Sequence, residues 1–408
     1  MIGATCLGSW WFVGAYFEAD VTGSIVFHAD DGSCTAVSRQ IGVHCFGDYS
    51  ATAERALSKN PWGTDHLAPY LAGGYVLPRI VSGFGQLFES PILGLVLYVL
   101  LAIASLSAPW LWLMVKKDSL LGLGPSFLLM GPVSLPALMA LDRGNNIAFV
   151  VPAILLFVVG SLDNKTSHTV LGIVLATFFK PQYILLVAAL VALRRWRQVL
   201  VSICIIVISQ SLAYLFWPAS IPHGVLKSIE LISRYDNYAN ISDPYPPQVS
   251  IARGLYFLGN NLFGLKSEDP ISNLIQSRAG YALLIFLIGV CFLRRNRLPV
   301  QFIVFGTVAA VSLAPGTAWA YYSVFVLPMI AVKLARDANN QPFYTTMPRQ
   351  LDLVLIAAMA ATLFHFPLSL NYIESSQQTV TTSAALVPIF WLVYIFTGLT
   401  IRNRVNID

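Results

Sequence analysis

Asp48 opens the stretch of this chain whose residue types are best suited to moving a proton. The segment reads Phe46-Gly47-Asp48-Tyr49-Ser50-Ala51-Thr52-Ala53-Glu54-Arg55-Ala56-Leu57, then Asn60-Pro61-Trp62. Gly47 can make a tight turn, Asp48 can cap the helix that follows, and Asn60-Pro61 stops it. Helical spacing brings Asp48, Thr52 and Arg55 onto roughly one side. A carboxylate placed there could take the proton of a hydroxyl while an arginine two turns on holds a phosphate. The plainer reading keeps Asp48 as an N-cap and Arg55 as a headgroup anchor. Asp65-His66, further along, offers a second acid or base, or simply a solvated pair in a Gly/Pro-punctuated loop.

Other polar groups interrupt apolar sequence and need partners or water. Asp142-Arg143-Gly144-Asn145-Asn146 joins two apolar runs, as an inward-facing polar site or as a connecting turn. In Lys180-Pro181-Gln182 the proline breaks the helical ladder beside a lysine, which either snorkels to the surface or holds an anionic headgroup. Arg253-Gly254 is a plausible phosphate contact, because a guanidinium offers a donor fork to phosphate oxygens, although helix anchoring fits it as well. Tyrosines and polar groups alternate around Arg234-Tyr235-Asp236-Asn237-Tyr238 and Asp243-Pro244-Tyr245, giving stacking faces for a sugar or an interfacial belt. Trp62, Tyr70, Tyr75, Phe84 and Phe88 suit a segment lying at a lipid surface.

The elements that must position these groups are set by composition. The 408 residues are 56% hydrophobic and 11% charged, with a mean hydropathy of +0.67. That profile predicts an all-α polytopic membrane protein, since each helix satisfies its own backbone in lipid, and it excludes an ordinary soluble enzyme. Apolar runs near 1–17, 91–115, 120–141, 147–162, 168–179, 182–193, 198–216, 279–293, 298–314, 321–335, 351–366 and 384–400 give about twelve spans in a single 1–408 domain. Basic clusters flank them: Lys116-Lys117, Arg194-Arg195-Trp196-Arg197, Arg294-Arg295-Asn296-Arg297, Lys333 with Arg336 and Arg349, and Arg402 with Arg404. If the first span leaves the cytoplasm, all five fall on the cytoplasmic side. Both termini are then cytoplasmic, and segments 18–90 and 217–278 face outward with short interfacial helices. Arg55, Arg143, Lys180 and Arg253 lie opposite the clusters, on the face of Asp48. Cys34 and Cys45 could close a disulfide in the first outer segment, whereas Cys6, Cys204 and Cys291 read as packing residues. No cysteine spacing suggests a metal, and no motif suggests nucleic acid.

An ordered set of pieces resembles the polyprenyl-phosphate-dependent glycosyltransferases of family 87, in the GT-C superfamily. The pieces are Gly47-Asp48-Tyr49, Arg143-Gly144-Asn145-Asn146, Gly172 through Phe179-Lys180-Pro181, Gln248-Val249-Ser250 with Arg253-Gly254, and Ser312-Leu313-Ala314-Pro315 with Trp319-Ala320-Tyr321-Tyr322. The resemblance implies a GT-C fold in the plasma membrane. It implies transfer of a sugar, arabinofuranose or mannose, from a polyprenyl-phosphate donor to a hydroxyl of an envelope glycan or glycolipid outside the cell. It makes Asp48 the general base of an inverting displacement, with no cofactor and no metal. Lys180 and Arg253, with Arg55 and Arg143 behind them, would bind the donor phosphate. Tyr49, Asn145, Gln248, Trp319, Tyr321 and Tyr322 would bind sugar or acceptor. The chain departs from the family in reading Leu67-Ala68-Pro69-Tyr70 where Tyr-Pro-Pro is usual, and the tyrosine pair resembles the arabinofuranosyl branch. A transporter or flippase for a lipid-linked sugar is the rival reading, for which paired internal repeats are expected.

Overall fold

The computed structural model describes residues 46–63, 70–116, 127, 130–218, 221, 223–236, 248–266, 269–335, 347–363 and 377–400. Among them the architecture is all-α, with no sheet and one isolated antiparallel bridge, Gln248 to Trp319. The helices in chain order are α1 (Gly47–Leu57), α2 (Ala72–Leu87), α3 (Pro91–Lys116), α4 (Leu135–Arg143), α5 (Val150–Leu162), α6 (Thr166–Phe179), α7 (Val187–Ala192) and α8 (Trp196–Tyr214). They continue with α9 (His223–Asp236), α10 (Ile251–Phe263), α11 (Pro270–Arg294), α12 (Val300–Leu313), α13 (Val326–Leu334), α14 (Arg349–Leu363) and α15 (Gln377–Thr400). Short 3-10 turns at Asn146–Phe149, Pro181–Leu186 and Ala320–Phe325 lead into α5, α7 and α13.

The centre of the molecule is the α5–α6 hairpin with α12 and α13 against it. Every residue of α12 after Val300 is buried, and Ile154, Phe157, Ile173, Phe302, Phe305 and Phe325 fill the space between these helices. A helix apolar on all sides must be covered nearly all round, and α12 and α13 are. Gly172 lets α6 touch α5 backbone to backbone: a Cβ there would lie 2.4 Å from the Phe157 nitrogen and 2.6 Å from the Ala153 oxygen.

The expectation of about twelve spans is overturned. Among the described residues only three helices are long and apolar enough to cross a membrane: α3, α8 and the 278–297 part of α11 with the turn after it. The apolar runs at 147–162, 168–179, 182–193, 298–314 and 321–335 instead form helices of 10–17 residues. At 1.5 Å per residue the longest of these is about 26 Å, short of the roughly 30 Å of a bilayer core. Local chemistry stops them. Lys180 is extended because Pro181 disfavours the helical region before it, and Gly144 turns left-handed to end α4. Of the run at 120–141, much of the first half lies outside the described residues and its end opens the nine-residue α4, while 1–17 lies outside them altogether.

This architecture is not the GT-C fold, so the family-87 resemblance does not hold. The multi-pass plasma-membrane topology with two cytoplasmic termini and an outward site falls with it. So does the integral-membrane transfer of arabinofuranose or mannose from polyprenyl phosphate, with its flippase rival, because each assumed the twelve-span frame.

The three long helices present apolar rows to the outside. Ile92, Val96, Leu100 and Val115 do so on α3, Leu200, Val207 and Leu212 on α8, and Ile285, Phe286 and Leu293 on α11. The bundle also has two chemically different ends. At one, the Arg195 guanidinium donates to the Ser161 carbonyl at 2.9 Å, Gln198 to the Thr166 hydroxyl at 3.0 Å, and Arg194 lies over the Phe292 ring. At the other, Tyr183 and Ser312 share a hydrogen bond at 3.1 Å and Lys180 sits beside Tyr322. Helices α6 and α12, fourteen residues each, separate these ends by about 20 Å.

Because Gly172 has no room for a side chain, Gly172→Val is expected to cost about 2–3 kcal/mol through overpacking of the hairpin. Thermal unfolding in detergent measures it, with the exposed Gly289→Ala change, where nothing lies near the added carbon, as the comparison free of overpacking.

Candidate functional site

The site begins where the end of α4 meets the start of α1. Phe46, in a left-handed conformation, occupies the N-cap position of α1, which puts Asp48 in the first turn instead. Asp48 is therefore not the cap expected from the sequence. Its two oxygens are taken separately: Arg143 Nη2 donates to Oδ1 at 2.8 Å and Asn145 Nδ2 to Oδ2 at 2.7 Å. The carboxylate still keeps 21% of its side-chain surface open, and Arg143 keeps 34%.

One turn of backbone makes that grip possible. Gly144 at φ 60 closes α4, its N–H reaching the Ala140 and Leu141 carbonyls, and a Cβ there would strike the Tyr49 Cβ at 2.7 Å. Only glycine fits both the left-handed backbone and this approach of α4 to α1. The residues on either side of the turn then flank Asp48. Asn145 works twice, its Oδ1 accepting from the Ile147 N–H at 2.9 Å while its Nδ2 serves Asp48. Asn146 anchors the turn from behind: its Oδ1 accepts from the Tyr98 hydroxyl and its Nδ2 donates to the Gly74 carbonyl, both at 2.7 Å. Tyr49 packs its ring against Tyr98, tilted by 45° with centroids 4.6 Å apart, and shares a 2.9 Å hydrogen bond with Ser82.

Lys180 is the buried cation of the same region. It is 3% exposed, donates to the Tyr70 hydroxyl at 3.1 Å, and lies 4.5 Å from the Tyr70 ring and 5.3 Å from the Tyr322 ring. Burial pushes its ammonium well down, to about 7, and the nearby Asp48 charge opposes that fall. Tyr70 belongs to an aromatic cluster with Trp62, Tyr75, Tyr214 and Trp217, all buried. The lipid-surface role expected of Trp62, Tyr70 and Tyr75 is thus wrong. Only Phe84 and Phe88 of that set are exposed, because the indoles and phenols find internal partners, such as Trp217 Nε1 to the Ala56 carbonyl at 3.0 Å.

The remaining sequence candidates spread around this core. Arg55 lies by the Tyr75 hydroxyl, which burial pushes up to about 12 against the opposing pull of that cation. Gln248 pairs with Trp319 across the isolated bridge, and the Val249 N–H donates to Ala318 at 2.7 Å, so the start of α10 is clamped to the 3-10 turn that carries Tyr321 and Tyr322. Those two rings stack at 5.4 Å, and the Tyr322 hydroxyl reaches Gln182 at 3.4 Å. Arg253 is buried on α10, where Ser250 caps its N–H at 3.1 Å and Tyr256 lies 6.0 Å from the guanidinium. Cys34, Cys45 and Asp65-His66 lie outside the described residues. Cys204, read from sequence as a packing residue, is exposed.

Tyr98 and two pairings escaped the sequence reading. Tyr98 braces Asn146 although 48 residues separate them, and Tyr70 receives Lys180 across 110. The only sequence signal was a polar group inside apolar surroundings, which says that a partner exists but not which. Among the described residues, no three His, Cys, Asp or Glu side chains stand together as metal ligands. A cleft of about 420 Å³ lies elsewhere, between the 60–63 turn and α9, lined by Asn60, Trp62, His223, Lys227 and Glu230. Its charges are already matched, Lys227 to Glu230 at 3.1 Å and Arg234 to Glu230 at 2.5 Å. Size alone does not make it the chemical centre.

Burying Lys180 costs stability. An unfolded lysine stays protonated up to about 10.4, so the cost is full below pH 7, shrinks between pH 7 and that value, and vanishes above it. Lys180→Met is expected to stabilise the chain by about 3 kcal/mol at pH 7, after losing the Tyr70 hydrogen bond. The gap to the parent protein should narrow by roughly 1.4 kcal/mol for each pH unit above 7, as followed by denaturant unfolding. The chain matches no family model, no curated protein and no solved structure, which leaves these side chains to speak for what the site does.

Proposed function

We propose that this is a membrane-associated enzyme whose site at Asp48 takes an amphiphilic phosphoester and draws the proton from a hydroxyl beside it. One observation carries the reading. A partly open carboxylate is fixed through both oxygens by Arg143 and Asn145, within electrostatic reach of a buried lysine. Fixing both oxygens orients the carboxylate, which is what proton transfer needs. Holding a lysine in an apolar setting at a cost to stability is the mark of a group kept for a ligand.

In the step that fits, the acceptor O–H bond breaks and its proton passes to Asp48. The freed oxygen attacks the carbon esterified to phosphate. The C–O bond to phosphate breaks, and the phosphate leaves with the electron pair toward Lys180. An ammonium has three donors and Tyr70 takes one of them, so the lysine retains capacity for a phosphate oxygen. The apolar rows of α3, α8 and α11 support association with lipid, where an amphiphilic substrate resides.

A dialkyl phosphodiester is singly charged across neutral pH, so its binding isolates the protein's own titration. Affinity for this probe, measured by calorimetry in detergent, should fall as pH rises through about 7, where Lys180 loses its charge. Lys180→Gln should weaken binding about tenfold and flatten the pH profile. Asp48→Asn should leave binding nearly intact while stopping phosphoester turnover. Unchanged affinity in the Lys180 variant, or a pH-independent parent protein, would sink the proposal.

A further inference from the structure

The second chemically distinct part of the molecule is the end opposite Asp48. The turns between α7 and α8 and between α11 and α12 meet there, because Phe292 receives the Arg194 guanidinium at 4.5 Å from its centroid and the Trp196 ring at 6.4 Å. Two arginines of these turns hold the fold together: Arg195 donates to Ser161 and Arg294 to the Leu399 carbonyl. Arg194, Arg197, Arg295 and Arg297 are left to face outward or partly outward. Among the described residues none of these four enters an ion pair, whereas Arg143, Lys165, Lys227, Arg234 and Lys333 all do. Arg194 also adopts φ 57, a left-handed conformation that a residue with a side chain resists, at a turn end where glycine would be unstrained. The turn retains an arginine there despite that cost.

We propose that these arginines form one surface for the headgroups of anionic phospholipids in a bilayer leaflet. Charge is half of the argument: four guanidiniums without carboxylate partners among the described residues fit phosphate groups, which they grip by two donors at once. Position is the other half. Leu200 lies one turn inside the collar on α8 and Leu293 just inside it on α11, 64% and 80% exposed, and half-exposed Trp196 stands at the boundary between charge and hydrocarbon. Tryptophan at such a boundary, with aliphatic side chains on one side and cations on the other, matches the headgroup layer of a membrane. A nucleic acid would meet the cations but not the adjoining aliphatic rows, and a free phosphate would leave them uncovered. This surface lies about 20 Å from Lys180 along α6 and stands independently of the chemistry at Asp48.

The test uses the full chain in uncharged detergent micelles, titrated with phosphatidylglycerol or with phosphatidylcholine of the same acyl chains, and bound lipid is counted by native mass spectrometry. Phosphatidylglycerol should bind more tightly by about tenfold, and the combined Arg197→Gln, Arg297→Gln variant should lose about threefold of that preference. Both positions are exposed, so the thermal midpoint of the variant should match the parent and exclude misfolding as the cause. Equal affinity for the two lipids would overturn the proposal, as would an unaltered preference in the double variant. Glycerol phosphate competing as well as intact lipid would mark a small-anion site instead. An RNA oligonucleotide held more tightly than phosphatidylglycerol would assign the collar to nucleic acid.

Discussion

A carboxylate in a mostly apolar molecule must find a donor for each oxygen, and the arrangement around Asp48 follows from that demand. Leaving one oxygen unsatisfied costs several kcal/mol, comparable with a large share of a domain's net stability. The chain answers by ending α4 in a glycine turn that sends Arg143 to one oxygen and Asn145 to the other. The turn in turn exposes backbone, which Asn145 caps with its own oxygen and Asn146 secures to α2 and α3. Removing Gly144 would therefore disturb the carboxylate without touching it.

The same economy explains the short helices. An apolar run can stay helical without limit until a polar group must be accommodated, and in this chain the breaks coincide with those groups: Gly144 to Asn146, Lys180 to Gln182, and the Pro315 to Trp319 segment before the last 3-10 turn. At each break, freed backbone and buried side chains find one another. The Gln248–Trp319 bridge satisfies backbone at the third break, and Tyr322 beyond it closes over the lysine of the second. The interruptions are thus where chain segments remote in sequence are bound together.

Hydropathy made the helical class legible and residue type made Asp48, Arg143, Asn145 and Lys180 worth singling out. Neither could show that three of the four touch, since Asp48 and Asn145 are 97 residues apart. The count of spans failed for a definite reason. An apolar run looks the same whether it faces lipid or is buried against other helices, as α5 and α12 are, and hydropathy windows pass over the prolines and left-handed turns that cut helices to half depth. Aromatics misled in the opposite sense. Trp62, Tyr70 and Tyr75 have the amphipathic character of interface residues, yet a phenol or indole that finds an internal acceptor is as content in a core. Arg253 and Lys180 looked alike in sequence, but the first is built into the start of α10 and the second sits under two tyrosine rings.

Charge separates the two ends of the bundle more deeply than topology alone would require. Near Asp48 the carboxylate is matched by the protein's own groups, drawn from distant segments and held at hydrogen-bond distance. Across the length of α6, Arg195 and Arg294 are spent on carbonyls while their sequence neighbours remain outward, among aliphatic residues that are outward too. A fold that invests in Asn145 and Gly144 to satisfy a single carboxylate has not overlooked several guanidiniums. The surroundings at that end must supply what the chain supplies at the other, and the exposed leucines beside the arginines require those surroundings to be both anionic and apolar.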